Sequence, residues 1–144
     1  MEYPPGPAEL TLNYPAKINA LHAALDDIEQ TCHAWKIDIS LVSRARIVVE
    51  ELFSNTIKYG YGGECEKPVR LSLKPHPEFT LTYEDEAPPF NPLVWKAKRD
   101  EALAPETRPA GQAGIAMVMG LSAKTSYQRR DGANCLTVIF AKKR

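Results

Sequence analysis

The chain has 144 residues, 44% of them apolar and 25% charged, a composition typical of one soluble globular domain. Its 18 basic and 18 acidic residues cancel, which argues against nucleic acid or an anionic membrane as a partner because neither would meet an attracting field. The three cysteines and three histidines lack disulfide or metal-site spacing, and no apolar run has the length of a membrane span or a signal peptide core. We therefore expect a cytoplasmic protein.

A short strand and two amphipathic helices are predicted in the first half of the chain. Residues 8–14 alternate apolar and polar, and Pro15 suits the first position of a helix. The apolar residues of that helix recur at steps of three and four: Ile18, Leu21, Leu25, Ile28, Cys32 and Trp35. Asp38 and Ser40 are candidate caps for the second helix, which ends in the glycine-rich residues 60–63. Its apolar stripe comprises Val42, Ala45, Val49, Leu52, Phe53 and Thr56.

The second half predicts two pairs of strands separated by a long loop and a helix. Two alternating segments come first, with the apolar residues Val69, Leu71, Leu73, Phe79, Leu81 and Tyr83. Residues 91–110 are mixed in charge and interrupted by proline, as in loops that cover ligands. A helix then begins at residues 111–114, and a hairpin over 122–130 and 135–141 turns at Asp131-Gly132. Grouped strands and helices predict an α+β two-layer sandwich in one domain spanning residues 1–144.

Three polar residues of the second helix form a candidate catalytic face. Glu51 and Asn55 are four residues apart, which places a carboxylate and a carboxamide one above the other on a helix, with Lys58 a turn further along. At 100° per residue the three fall in a narrow sector opposite the apolar stripe. A general base beside a metal-binding oxygen suits an enzyme that uses a magnesium nucleotide. The alternative is an ordinary solvated helix face, although Asn55 has poor helix propensity.

Asp85 is the second candidate, because the alternation of its strand projects it onto the apolar face. A buried carboxylate is costly unless it accepts hydrogen bonds. An adenine amino group would be a fitting donor, and a helix N-terminus or a structural arginine would also serve. The glycine-bearing helix start near Gly111 could hold phosphate, although glycines commonly precede helices.

Taken in order, these segments resemble the GHKL-type ATPases, specifically the small anti-sigma-factor serine/threonine kinases of bacterial partner-switching systems. Residues 51–55 look like the N box, with Lys58 where histidine or lysine is frequent. Residues 85–90 look like the first glycine box, residues 91–110 like the ATP lid, and residues 111–115 like the second glycine box. The resemblance covers the chain from Leu10 onward. It implies a mixed, mostly antiparallel sheet covered on one face by about three helices.

The resemblance also implies roles for individual residues. Glu51 would be the general base that accepts a proton from the substrate hydroxyl, and Asn55 would coordinate Mg²⁺. Asp85 would accept a hydrogen bond from the adenine amino group of ATP. The other implied nucleotide-binding residues belong to the same boxes: Lys58, Ala87, Phe90, Gly111 and Gly114.

The resemblance further implies a kinase that phosphorylates a small anti-sigma-factor antagonist and sequesters a sigma factor in the bacterial cytoplasm. Dimers are common in that family, and the apolar residues Tyr3, Leu10 and Leu12 on a predicted edge strand leave room for a homodimer. Direct binding of nucleic acid or membrane is not expected.

Two departures from the family pattern keep a second function open. The first box normally has glycine where this chain has Ala87, and the second has glycine where this chain has Gln112. A degenerate, non-catalytic module that works through protein binding is therefore the alternative, and an unrelated α+β protein is a third interpretation. The family's threonine on the last strand matches Thr137 or Cys135 ambiguously, so neither receives a role.

Overall fold

The computed structural model describes residues 9–91 and 124–140. The elements in chain order are β1 (Leu10–Ala16), α1 (Ile18–Ala34), α2 (Ile39–Asn55), a π-helical turn (Thr56–Gly60), β2 (Cys65–Lys74), β3 (Thr80–Asp85), β4 (Lys124–Arg130) and β5 (Ala133–Ile139). The predicted lid beyond Asn91 and the predicted helix starting at Gly111 lie outside the described residues.

The five strands form one open sheet in the order β1-β2-β3-β5-β4, and each neighbouring pair among them is antiparallel. Alternate residues of the central strands are buried, so one face of the sheet contributes to the core with α1 and α2. The largest fully buried side chains include Phe53, Phe140, Ile28, Leu71 and Leu73. The predicted α+β class is confirmed. The described sheet is antiparallel throughout, and two of the three predicted helices fall among the described residues.

The first strand ends two residues later than predicted, at Ala16, and Pro15 does not start a helix. Pro15 lies in β1 opposite Pro68 of β2, and α1 begins only at Ile18. Neither proline gives an N–H to the ladder, and the edge strand β1 tolerates that loss, so the strand continues past the point where Pro15 suggested a helix. Lys17 at the N-cap gives α1 no side-chain hydrogen bond. The Glu64 carboxylate instead accepts from the Ile18 backbone amide at 2.7 Å.

The start of α2 agrees with the prediction. Asp38 is the N-cap, and its carboxylate accepts from the backbone amide of Ser40 at 2.9 Å. The predicted apolar stripe is buried along the whole helix.

The end of α2 differs from the prediction. The α-helix stops at Asn55, and the next five residues form a π-helical turn in which the Tyr61 amide donates to the Thr56 carbonyl at 2.7 Å. The α-helical rotation of 100° per residue therefore does not give the direction of Lys58, which lies in this turn and is exposed. The turn begins at Thr56, whose buried hydroxyl shares the Leu52 carbonyl, at 3.0 Å, with its own backbone amide.

The terminal hairpin turns where the sequence predicted. Asp131 and Gly132 both have positive φ, 54° and 78°, as a two-residue type I′ turn requires. The return strand β5 begins at Ala133 rather than Cys135, so Asn134 is also part of the ladder and pairs with Asp85 of β3. This register brings an unpredicted carboxamide to the end of β3.

Candidate functional site

The end of α2 contacts the end of β3 through a buried hydrogen bond. The Thr56 hydroxyl donates to Oδ2 of Asp85 at 2.7 Å, and Thr56 directly follows Asn55 in the chain. Asp85 is 7% exposed, which confirms that its strand directs it inward. The two segments predicted as the N box and the first glycine box therefore meet at one place.

The Asp85 carboxylate has three donors within the described chain. Its Oδ1 accepts from the Asn134 carboxamide at 2.9 Å and from the Ala87 backbone amide at 3.2 Å, while Oδ2 accepts from Thr56. These donors are a hydroxyl, a carboxamide and a backbone amide, in place of the helix start or arginine considered from the sequence. A carboxylate offers about four acceptor positions, so one remains on Oδ2. Within the described chain, the carboxylate thus keeps the capacity to accept one further hydrogen bond.

Tyr83 extends this buried network, although its sequence pattern placed it with the apolar residues. Its hydroxyl oxygen lies 2.6 Å from Oγ1 of Thr56 and 3.2 Å from the Leu52 carbonyl oxygen, to which it donates. Burial raises the pKa of Tyr83 well above its ordinary range, so the phenol stays a neutral donor. The last turn of α2 is therefore bonded to the sheet by polar groups as well as by apolar packing.

Glu51 and Asn55 lie on the border of the buried stripe instead of opposite it. Both side chains are half-buried, whereas Ser43, Ile47 and Glu50 form the exposed side of α2. The predicted position opposite the stripe is wrong because the buried surface of the helix also includes Val48, which widens the stripe toward them. A half-buried carboxylate and carboxamide at a helix end suit the wall of a binding site better than a solvated face does.

The Ala87 methyl group is accommodated by a glycine of the π-helical turn. Ala87 is 3% exposed, and a Cβ built on Gly60 would lie 3.0 Å from the Ala87 Cβ. Among the described residues only Lys36 and Asp131 combine a side chain with positive φ, so Ala87 carries no strain of that kind. The space for the methyl group in this chain is therefore provided by Gly60.

The segment that follows β3 is attached to the terminal hairpin. The Phe90 backbone amide donates to Oδ1 of Asn134 at 3.0 Å, and the Arg129 guanidinium donates to the Ala87 carbonyl at 2.7 Å. The Phe90 side chain is 41% exposed. The other predicted nucleotide-binding residues, Gly111 and Gly114, lie outside the described residues.

Asn134 is the functional candidate that sequence reasoning missed. The two candidates weighed for the last strand pair elsewhere, Thr137 with Thr82 and Cys135 with Glu84. A carboxamide at the start of a predicted strand carries no signal by itself. The only available cue was the Asp131-Gly132 turn, from which a two-residue hairpin loop would have started β5 at residue 133.

A metal ion at this site would need ligands beyond the described side chains. Among residues 9–91 and 124–140, no group of three or more histidine, cysteine, aspartate or glutamate side chains could hold one. The carboxamide oxygen of Asn55 is a hard donor that suits Mg²⁺, an ion that usually takes few protein ligands and completes its shell with phosphates and water. The donor chemistry therefore fits a metal that arrives with a nucleotide.

Comparisons with known proteins agree with this geometry. The family model described as the histidine kinase-like ATPase domain matches residues 14–140. The chain belongs to this family. The match confirms the GHKL-type resemblance and with it an ATPase-type, nucleotide-binding class of domain. No helix among the described residues is long and apolar enough to cross a membrane.

Two solved structures share the fold at low sequence identity. The structure of the RsbU and RsbW domains of Rv1364c from Mycobacterium tuberculosis aligns with a TM-score of 0.63 and 17% identity, over 94% of this chain and 32% of that chain. The SiaB–SiaC complex from Pseudomonas aeruginosa aligns with a TM-score of 0.63 and 12% identity, over 91% of this chain and 88% of that chain. This chain thus spans about a third of the Rv1364c chain. No curated protein matches the sequence significantly.

Proposed function

We propose that this domain binds Mg-ATP and transfers the γ-phosphoryl group to a serine or threonine of a small anti-sigma-factor antagonist, and that it sequesters a sigma factor. The observation that carries the proposal is the hydrogen bond from Thr56 to Asp85, which fixes the helix end bearing Asn55 against a buried acceptor. Membership of the histidine kinase-like ATPase family supports nucleotide binding. The structural neighbours named for an RsbW domain and for the SiaB–SiaC complex support a role in partner switching.

In this proposal each side of the site has one task. The remaining acceptor position on Oδ2 of Asp85 receives the adenine amino group. The Asn55 carboxamide oxygen holds Mg²⁺, which neutralises charge on the phosphates. Lys58, Phe90 and the glycines at 111 and 114 are proposed to surround the nucleotide, and Ala87 contributes through its backbone because its methyl group is buried.

Glu51 is proposed as the general base for the attacking hydroxyl. Its carboxylate is half-buried one helical turn before Asn55, so both groups face the same region of space. Phosphoryl transfer requires mainly positioning and charge neutralisation from the protein, so one base and one metal site are sufficient. The proton of the substrate hydroxyl would pass to Glu51 as the oxygen attacks phosphorus.

The proposed partners are proteins. The SiaB–SiaC structure is a complex of two proteins, and the alignment covers 88% of the matching chain in it, which supports an antagonist as the substrate of this domain. A homodimer is proposed through β1, an edge strand whose Leu10 and Leu12 are only half-buried. The proposed location is the bacterial cytoplasm.

One observation favours the second candidate function, a non-catalytic module that acts through protein binding. The buried network around Asp85 is already bonded within the chain. Among the described residues, the Arg46 Nε is the one buried side-chain polar atom without a partner, and none at the site is left unpaired. Because the buried polar groups of the site already have hydrogen-bond partners within the chain, the fold does not need a bound nucleotide to be stable.

The test is thermal unfolding with and without Mg-ATP, because a ligand that binds only the folded state raises the unfolding temperature. Saturation at about 100 times Kd contributes about 2.7 kcal/mol, well above the detection limit. No shift at millimolar Mg-ATP would contradict both the kinase and any nucleotide-dependent module.

Transfer of labelled phosphate to a candidate antagonist then separates the two functions. Glu51→Gln should lose transfer while nucleotide binding is retained, and Glu50→Gln, on the exposed side of the same helix, should keep both. Full transfer by Glu51→Gln would exclude Glu51 as the base. Binding of Mg-ATP without transfer to any antagonist would favour the non-catalytic module.

A further inference from the structure

The segment after β3 is short of its own hydrogen-bond donors. Pro88 and Pro89 have no backbone N–H, so this stretch cannot continue the ladder of the sheet. The carbonyl groups of Ala87 and Pro88 instead accept from Nδ2 of Asn134, at 3.2 and 3.0 Å. A side chain of β5 therefore takes over the pairing that a neighbouring strand would normally provide.

The same carboxamide also holds the buried acid. Asn134 Nδ2 donates to Oδ1 of Asp85 at 2.9 Å, while its Oδ1 accepts from the Phe90 amide at 3.0 Å and from the Tyr127 hydroxyl at 2.6 Å. The register places Asn134 directly opposite Asp85 on the inner face of the sheet. One planar group thus bonds to the acid, to the segment behind it and to the edge strand β4.

We infer that Asn134 is a positioning residue that holds the Asp85 carboxylate and residues 86–90 as one unit, so that the last acceptor position of Asp85 is kept for an exocyclic amino group of the bound base. The inference rests on the proposed function, in which that base is adenine. It concerns the selectivity of the site and assigns Asn134 no contact with the nucleotide.

The chemistry of the carboxamide explains why other side chains cannot replace it. Asparagine combines two N–H donors, here shared among three acceptors, with an acceptor oxygen in one plane. Aspartate would keep the acceptor for Phe90 but would place a second carboxylate against Asp85 without a donor. Threonine has one donor to share among three acceptors. Removal of the donors frees the Asp85 carboxylate to turn toward other partners, so its preference for an amino group should fall.

The test compares the Kd of ATP with that of purine riboside triphosphate, which lacks the 6-amino group. The wild-type protein should prefer ATP about tenfold or more, because a hydrogen bond to a buried carboxylate is lost with the analogue. In Asn134→Ala and Asn134→Asp the ratio of the two Kd values should fall toward one. Gln128→Ala, an exposed position on the opposite face of the same hairpin, should leave the ratio unchanged.

The ratio of the two Kd values is informative because a general loss of structure would weaken the binding of both ligands equally and leave the ratio unchanged. A wild-type preference that persists in Asn134→Ala would overturn the inference and leave the proposed function intact. A wild-type protein that binds neither ligand would instead overturn the proposed function and the inference with it.

Hydrogen exchange of the Phe90 amide in the wild-type protein gives a check that does not depend on how the variants fold. Exchange as slow as that of β3 amides supports the bond to Asn134, whereas exchange at the rate of an exposed amide overturns it. Asn134→Asp should retain this protection, since its acceptor remains, while it loses the preference for ATP.

Discussion

The buried hydroxyl of Thr56 should be worth more to stability than its size suggests. Thr56 is 4% exposed, and its Oγ1 lies within 3.0 Å of the Leu52 carbonyl, the Tyr83 hydroxyl and the Asp85 carboxylate. Its single hydrogen is best given to Asp85, since that acceptor is ionised. Tyr83 can then donate to Oγ1 or to the Leu52 carbonyl. Loss of the hydroxyl therefore removes both a donor to a buried charge and an acceptor for a phenol.

Valine is the replacement that best isolates the hydroxyl, because its side chain has nearly the same shape as that of threonine. A hydrogen bond to a charged group contributes about 1.5–3 kcal/mol, and the buried partner left behind is not hydrated. Tyr83 keeps its bond to the Leu52 carbonyl at 3.2 Å, so the loss falls mainly on Asp85. We expect Thr56→Val to reduce the free energy of unfolding by about 2 kcal/mol, or the melting temperature by about 4–8 °C.

Equilibrium urea unfolding followed by circular dichroism would measure this difference. Thr56→Ser keeps the hydroxyl and loses one methyl group, so it should cost only about 1 kcal/mol. Thr82→Val makes the same change as Thr56→Val on the outer face of β3 and should lie within about 0.5 kcal/mol of the wild-type protein. A loss in Thr56→Val no larger than that in Thr82→Val would show that the buried hydroxyl contributes little to stability.

Two further predictions concern the same end of the domain. Gly60→Ala should destabilise the protein by about 1 kcal/mol in urea unfolding, because its Cβ would lie 3.0 Å from that of Ala87, and adding Ala87→Gly should remove most of this loss. Burial raises the pKa of Tyr61 to about 12, so the stability from its neutral phenol should be complete below pH 10 and decline as pH rises through 12. Absorbance at 295 nm should lose a tyrosine titration near pH 12 in Tyr61→Phe, while the later titration of the buried Tyr83 remains in both proteins. Loss of a titration near pH 10 in this variant would contradict the assignment.

Much of the fold could be predicted because the periodicity of the apolar residues reflects real burial. The stripe of α2, the inward direction of Asp85 and the Asp131-Gly132 turn each follow from local rules, and the structure agrees with all three. Pro15 was misassigned because a proline suits both a helix start and an edge strand. Only the position of Pro68 opposite it decides between them, and that pairing spans more than 50 residues.

The site was less predictable because its key contacts depend on register. The π-helical turn begins at Thr56, whose partners Tyr83 and Asp85 are on strand β3. Asn134 reaches Asp85 only because the hairpin turn sets β5 two residues earlier than its apolar pattern suggested. Predictions about Glu51 and Asn55 as catalytic and metal-binding residues remain predictions, because their roles depend on a bound nucleotide.

The exchange of glycine for Ala87 does not by itself argue against a nucleotide. The methyl group of Ala87, which stands where the family has glycine, is buried against Gly60. The absent side chain of Gly60 therefore leaves the space that this methyl group occupies. The carbonyl groups of Ala87 and Pro88 are held by Asn134, so this segment can keep its shape without a ligand. A segment already ordered in the free protein loses little entropy on binding, which favours affinity. Nucleotide binding therefore depends on whether the last acceptor position of the Asp85 carboxylate is accessible to a base.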